Sequence, residues 1–126
     1  MEKGKIYDQH AENKEFMSKL DFYKGEIAIL ESRLEEISAK NNQKECLIEL
    51  ERFQNQLIIQ RNNIDEIRHQ VVVDEDRLVA EINKNEVAVD HRSVPFHVAE
   101  KEQVETFERN FNELRKELNL FFSKWM

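Results

Sequence analysis

Glycine occurs twice, proline once and cysteine once in a chain of 126 residues. A globular chain of this length ordinarily carries about fifteen glycines and prolines together. The shortage excludes turn-rich folds such as β-sandwiches and barrels, and it leaves no glycine loop to cradle a nucleotide phosphate. The single cysteine, Cys46, excludes an internal disulfide and a thiolate zinc site. Nor does any apolar run approach the roughly 18 residues that a membrane-crossing helix needs. Met1-Glu2-Lys3-Gly4-Lys5 leads into no apolar stretch, so no signal peptide is expected and the default address is cytoplasmic. Basic charge is also short, with 19 Lys+Arg against 26 Asp+Glu and a net charge of −7. Phosphate binding needs a net basic face, so nucleic acid is not an expected partner.

What is present is charge and helical periodicity. Charged residues make up 36% and hydrophobic residues 40% of the chain, with a mean hydropathy of −0.75. That balance suits long helices carrying narrow apolar stripes. Apolar residues recur at alternating spacings of three and four in three segments. The first runs through Ile6, Phe16, Leu20, Tyr23, Ile27, Leu30, Leu34 and Ile37. The second holds Cys46, Leu50, Phe53, Leu57, Ile64, Ile67, Val71 and Leu78, with Ile82 nearby. The third, Val104, Phe107, Phe111, Leu114, Leu118, Phe121 and Trp125, is unbroken.

Between the stripes, Asn41-Asn42 reads as a helix end followed by a helix start, because Asn tolerates a left-handed C-terminal position and also caps N-termini. Asn42-Gln43-Lys44-Glu45 has capping-box spacing. Asn83-Lys84-Asn85 weakens the second helix, and Val87 to Arg92 reads as a fraying turn or connector. Ser93-Val94-Pro95 is a start signal. The expected helices are about 6–40, 43–83 and 95–126 in a single domain, all-α, an elongated up-down-up antiparallel three-helix bundle with coiled-coil-like seams.

Polar residues interrupt the seams at Asn13, Gln60 and Asp74, and heptad extension of the third stripe adds His97 and Glu100. Such groups commonly fix register in helical assemblies. Apolar residues also lie off the stripes: Phe22 and Ile29 a heptad apart on the first helix, and Ile58, Ile59, Val72, Val73 and Val79 on the second. They have two readings, a middle helix touching both neighbours or a subunit interface, which would make the chain a homodimer. Gly25 lies on the first helix away from its stripe. At the C-terminus, Phe122 and Met126 fall off the seam and are expected to pack near Asn83–Val89 or against a second subunit; the basic face of a membrane anchor is missing.

For chemistry, Glu66-Ile67-Arg68-His69 has the Glu-x-x-His spacing of carboxylate metal bundles, without a second copy. Antiparallel pairing puts His10 about level with residue 73. His10, Glu66 and His69 are therefore candidate ligands for a divalent metal. Asp90, His91 and His97, with Glu86 and Glu100 near, form a competing cluster. Cys46 falls on the seam with no histidine nearby, which reads as an inert buried thiol. No catalytic constellation and no organic cofactor site emerge. The composition points to a non-enzymatic bundle acting through self-association and contacts with an unknown protein partner.

Leu20-Asp21-Phe22-Tyr23-Lys24-Gly25-Glu26, Arg33-Leu34-Glu35-Glu36, Phe53-Gln54-Asn55-Gln56 and Asp90-His91-Arg92 carry a resemblance to small, uncharacterised all-helical proteins of Bacteroidetes-type bacteria. The resemblance implies a helical bundle and transfers no site residues. The layout is also similar to a spectrin-type three-helix unit, from which it departs in having one copy and its sole Trp at the C-terminus.

Overall fold

The computed structural model describes residues 2–84 and 93–126, with side chains for 7–83 and 97–126. The connector with Glu86, Asp90 and His91, and the side chain of Ile6, lie outside the described residues. Three helices are present: α1 (Glu2–Lys40), α2 (Lys44–Lys84) and α3 (Ser93–Trp125). They form the expected three-helix bundle, with the partners of each helix setting its direction. Residues ascending α1 meet residues descending α2: Asp21 with Arg68, Lys24 with Asp65, Glu31 with Arg61. Both α1 and α3 ascend together, pairing Lys19 with Glu108 and Glu26 with Arg115. The α1–α2 ion pairs lie about two turns further along α2 than a symmetric fold-back implies, while His10 meets Glu75, within a turn of the expected level at residue 73.

All seam residues named from the described segments are buried or half-buried. Leu20, Ile27 and Leu34 of α1, Leu57, Ile64 and Val71 of α2, and Phe111 and Leu118 of α3 are sealed from solvent. Each such side chain stabilises the fold by about 1.5–3 kcal/mol relative to exposure. Tyr23 packs edge-on against Phe107 and Phe111 at 5.4 and 5.1 Å between ring centroids, locking α1 to α3. Arg115 covers that contact. Its Nε donates to Glu26 at 2.6 Å while its guanidinium lies 5.1 Å above the Phe111 ring. By contrast, the exposed Lys24–Asp65 and Arg68–Asp21 pairs at 2.9 and 3.1 Å are worth about 0–1 kcal/mol each.

Both helix junctions differ in detail from expectation. Among the described residues no non-glycine residue has positive φ, so Asn41 does not close α1 in a left-handed conformation. Instead its backbone N–H and its side-chain amide both donate to Ile37 O at 3.0 Å. The same side chain reaches Trp125 O at 3.4 Å, pinning the end of α3 to the α1–α2 turn. This contact also corrects the placement of the C-terminal aromatics. Because α3 runs antiparallel to α2, its end lies at Asn41 and not at Asn83–Val89. Phe122 is buried there beneath the Arg33 guanidinium, 5.9 Å from the ring centroid. Helix α3 begins at Ser93 rather than near residue 95, since Pro95 is accommodated in a first turn whose N–H groups have no intrahelical acceptor.

Leu57 is completely buried at the centre of the middle helix. Leu57→Ala should lower unfolding free energy by about 2–5 kcal/mol, measured by urea denaturation followed by circular dichroism; a loss near zero would contradict the packing described.

Candidate functional site

The alternation that carries leucine and phenylalanine through most of each helix continues at the end opposite Asn41, but its residues become polar. On α1 it passes through Asn13 and Gln9, on α2 through Asp74, and on α3 through Glu100 and His97. All five are buried, with Asp74 at 0% and Glu100 at 2% exposure. A heptad position faces the bundle axis whatever residue occupies it, so the three helices deliver these groups to one level.

Asp74 is the hub. Its Oδ1 accepts from Arg77 at 2.7 Å, and its Oδ2 accepts from Asn13 Nδ2 at 3.2 Å. His97 Nδ1 lies 3.3 Å from the same Oδ2 and 3.3 Å from Glu100 Oε2. The other ring nitrogen of His97, Nε2, is 3.7 Å from Glu12 of α1, which Lys101 also approaches at 3.7 Å. The Phe16 ring stacks on the imidazole at 5.9 Å and closes the layer toward the apolar core. Asn13 Nδ2 also donates to Glu75 at 2.9 Å, and Glu75 pairs with His10.

Charge in this layer is strongly perturbed. Hydrogen bonding to Asp74 and Glu100 raises His97 to about 9. Burial opposes ionisation of Asp74, yet its hydrogen bonds from His97, Arg77 and Asn13 hold it below the usual carboxylate range. Burial dominates at Glu100 and raises its carboxyl despite His97. Among the described residues the donor facing Glu100 is His97 Nδ1, 3.3 Å from Oε2 and shared with Asp74 Oδ2, while Oε1 is left without one. The layer can thus hold a proton on imidazole between two acids, or a cation in its place: the donor atoms of Asp74, His97 and Glu100 all lie within 4.8 Å of one another.

The ligands expected from sequence are arranged differently. His10 lines a groove between α1 and α2 with Asn13 and Glu75, whereas His69 lines one between α2 and α3 with Glu100 and Gln103. Glu66 is exposed. His10, Glu66 and His69 are not brought together as a donor set, because His10 and His69 flank opposite sides of α2. Among the described residues, the donors that do converge are Asp74, His97 and Glu100. Sequence reasoning placed those three on the seams as register-fixing groups and also set His97, with Glu100 near, in a competing ligand cluster whose other members, Asp90, His91 and Glu86, lie outside the described residues. It missed Gln9, which lies four residues before Asn13 and a heptad before Phe16, and Arg77, Glu75 and Glu12, which act from flanking positions. Cys46 is as expected: fully buried, its thiol pushed up by burial.

The off-seam apolar residues named on α1 and α2 remain largely exposed, from Val72 at 39% to Phe22 at 67%. On α2 they do not form one line. Val72 borders the α1 groove, while Ile59 and Val73 border grooves on the α3 side. This split follows from a middle helix that contacts both neighbours.

Linkage converts the His97 geometry into a pH dependence. Around His97 stand Asp74 and Arg77 from α2, Glu12 from α1, and Glu100 and Lys101 from α3. A folded value raised to about 9 from 6.5 gives stability that is full below the unfolded value and lost as pH rises through the folded one. Glu100, also raised, acts in the same sense; Asp74, lowered, contributes stability that is lost only in acid. In chelator-treated protein the urea midpoint should therefore fall between pH 6.5 and pH 9, and His97→Gln should flatten that fall. A midpoint constant across the window would contradict the arrangement.

Compared with protein families, with curated proteins and with solved structures, the chain matches none. No described helix is long and apolar enough to cross a membrane.

Proposed function

We propose that this chain is a non-enzymatic helical bundle that acts by self-association and protein contacts, pairing with a second copy through an exposed face of α1. The observation carrying the reading is the sequence of sizes along that face. Ser18, Phe22, Gly25, Ile29 and Ser32 follow the alternating spacing of a packing seam, and all are exposed. Phe22 is 67% and Ile29 58% accessible. Between them, a Cβ added at Gly25 would meet nothing within 4 Å.

Glycine inside a helix costs about 1 kcal/mol relative to alanine, and nothing within the chain uses the space it leaves. A close helix-to-helix approach would use it. Antiparallel pairing of two copies about a two-fold axis beside Gly25 sets Phe22 against the partner's Ile29 and the reverse, a self-complementary arrangement of the kind isologous dimers require. The face continues into a groove of about 540 Å³ between α1 and α3, bordered by Arg33 and Arg115. The mixed-charge exterior and the lack of a catalytic constellation agree with a role in contacts rather than chemistry, and the cytoplasm is the proposed location.

Sedimentation equilibrium of the full chain should give a monomer–dimer equilibrium. Phe22→Glu and Ile29→Glu should each weaken the dimer by tenfold or more while leaving helix content unchanged. A strict monomer at millimolar concentration would overturn the reading, as would a dimer indifferent to both substitutions.

A further inference from the structure

Asp74, His97 and Glu100 are more than a hydrogen-bonded triad. Register fixing accounts for Asp74, whose two oxygens receive hydrogen bonds from Arg77 and Asn13. It does not account for Glu100, which is 2% exposed, lies beside Asp74, shares the single His97 Nδ1 donor with it at 3.3 Å from Oε2, and leaves Oε1 buried without a donor. Two buried carboxylates sharing one imidazolium are incompletely compensated, and a dication in place of the proton would balance both.

We propose that Asp74, His97 and Glu100 form a binding site for one first-row divalent transition metal ion of the Zn²⁺ type, with Asp74 Oδ2, His97 Nδ1 and Glu100 Oε2 as its ligands. The spacing fits. Ligands held about 2.0–2.2 Å from a tetrahedral ion stand roughly 3.3–3.6 Å apart. His97 Nδ1 lies 3.3 Å from Asp74 Oδ2 and 3.3 Å from Glu100 Oε2.

The surroundings match what such a site uses. A metal-bound histidine commonly turns its other ring nitrogen to a carboxylate, which fixes the tautomer. Glu12 is the carboxylate on that side of the ring, 3.7 Å from Nε2 and short of hydrogen-bond contact. Asn13 and Arg77 orient the Asp74 carboxylate in the same way. Two carboxylates neutralise a dication, and the metal displaces the proton from His97. One imidazole among oxygen donors favours the Zn²⁺, Mn²⁺ or Co²⁺ class over Ca²⁺ and Mg²⁺, which prefer six or more oxygens including several waters. Access is provided by the groove of about 410 Å³ between α2 and α3, which Glu100 lines and His69 borders.

Untagged full-length protein, stripped with a chelator, tests the site by titration with Zn²⁺ in a calorimeter and with Co²⁺ by visible absorbance. One equivalent should bind, with the intense d–d bands of a low-coordinate Co²⁺ centre, and the melting temperature should rise. Glu12→Gln should weaken binding by about 10–100-fold, and Glu100→Gln or Asp74→Asn by more; His10→Ala and His69→Ala should leave it unchanged. Should the ligand variants fail to fold, long-range ¹H–¹⁵N spectra of the unsubstituted protein decide: Zn²⁺ should shift Nδ1 of His97 and leave its Nε2 protonated. No stoichiometric binding would overturn the site and leave a proton-bridged triad only. Binding that survives Glu100→Gln, or that shifts another histidine, would equally overturn it.

Discussion

Everything in this bundle depends on α2 packing against two neighbours at once. A single helix can bury one apolar stripe against one partner with little constraint on register; burying both flanks forces α1 and α3 to occupy adjacent grooves and to run in the same direction. The aromatic contacts of Tyr23 with Phe107 and Phe111 then close the third side. The turn between Lys40 and Lys44 and the Asn41 bond to the end of α3 hold one end of this arrangement. Polar groups gather at the other.

That asymmetry is the physical link between fold and site. A seam of leucine and phenylalanine tolerates small slips because neighbouring layers are alike. A layer holding Asn13, Asp74 and His97 does not, since a slip along either partner helix would leave buried donors and acceptors unmatched. The same burial that makes the layer specific also shifts its protonation: Asp74 stays ionised, His97 is raised and Glu100 resists ionisation. A group chosen for register alone needs no second buried carboxylate, and Glu100 is the residue on which the proposed ligand site rests.

Much of the fold was legible in the residues. The spacing of three and four identified the buried positions on all three helices because packing between long helices selects positions by angle, and angle is a property of sequence separation alone. The polar seam positions were legible for the same reason. Their convergence was not: it depends on the offset between helices, set by how Asn41 to Gln43 turn the chain, and sequence spacing holds no record of that offset. His69 illustrates the difficulty from the other side. Its Glu-x-x-His spacing is real, yet it points to the groove between α2 and α3, on the opposite flank from His10. Gly25 has no neighbour within the chain that requires it, and the proposed pairing of two copies is what would use the space.

The central claim is that the helices share one fixed register, with α1 and α3 parallel. Nuclear Overhauser contacts between ring protons test it most directly. Tyr23 should show contacts to Phe107 and Phe111, Phe53 to Phe121, and Phe16 to His97, matching ring separations of 5.4, 5.1, 5.1 and 5.9 Å. Contacts from Phe16 to Phe121 or Phe122 in place of His97 would mean that α3 runs the other way, and would contradict the account at its root.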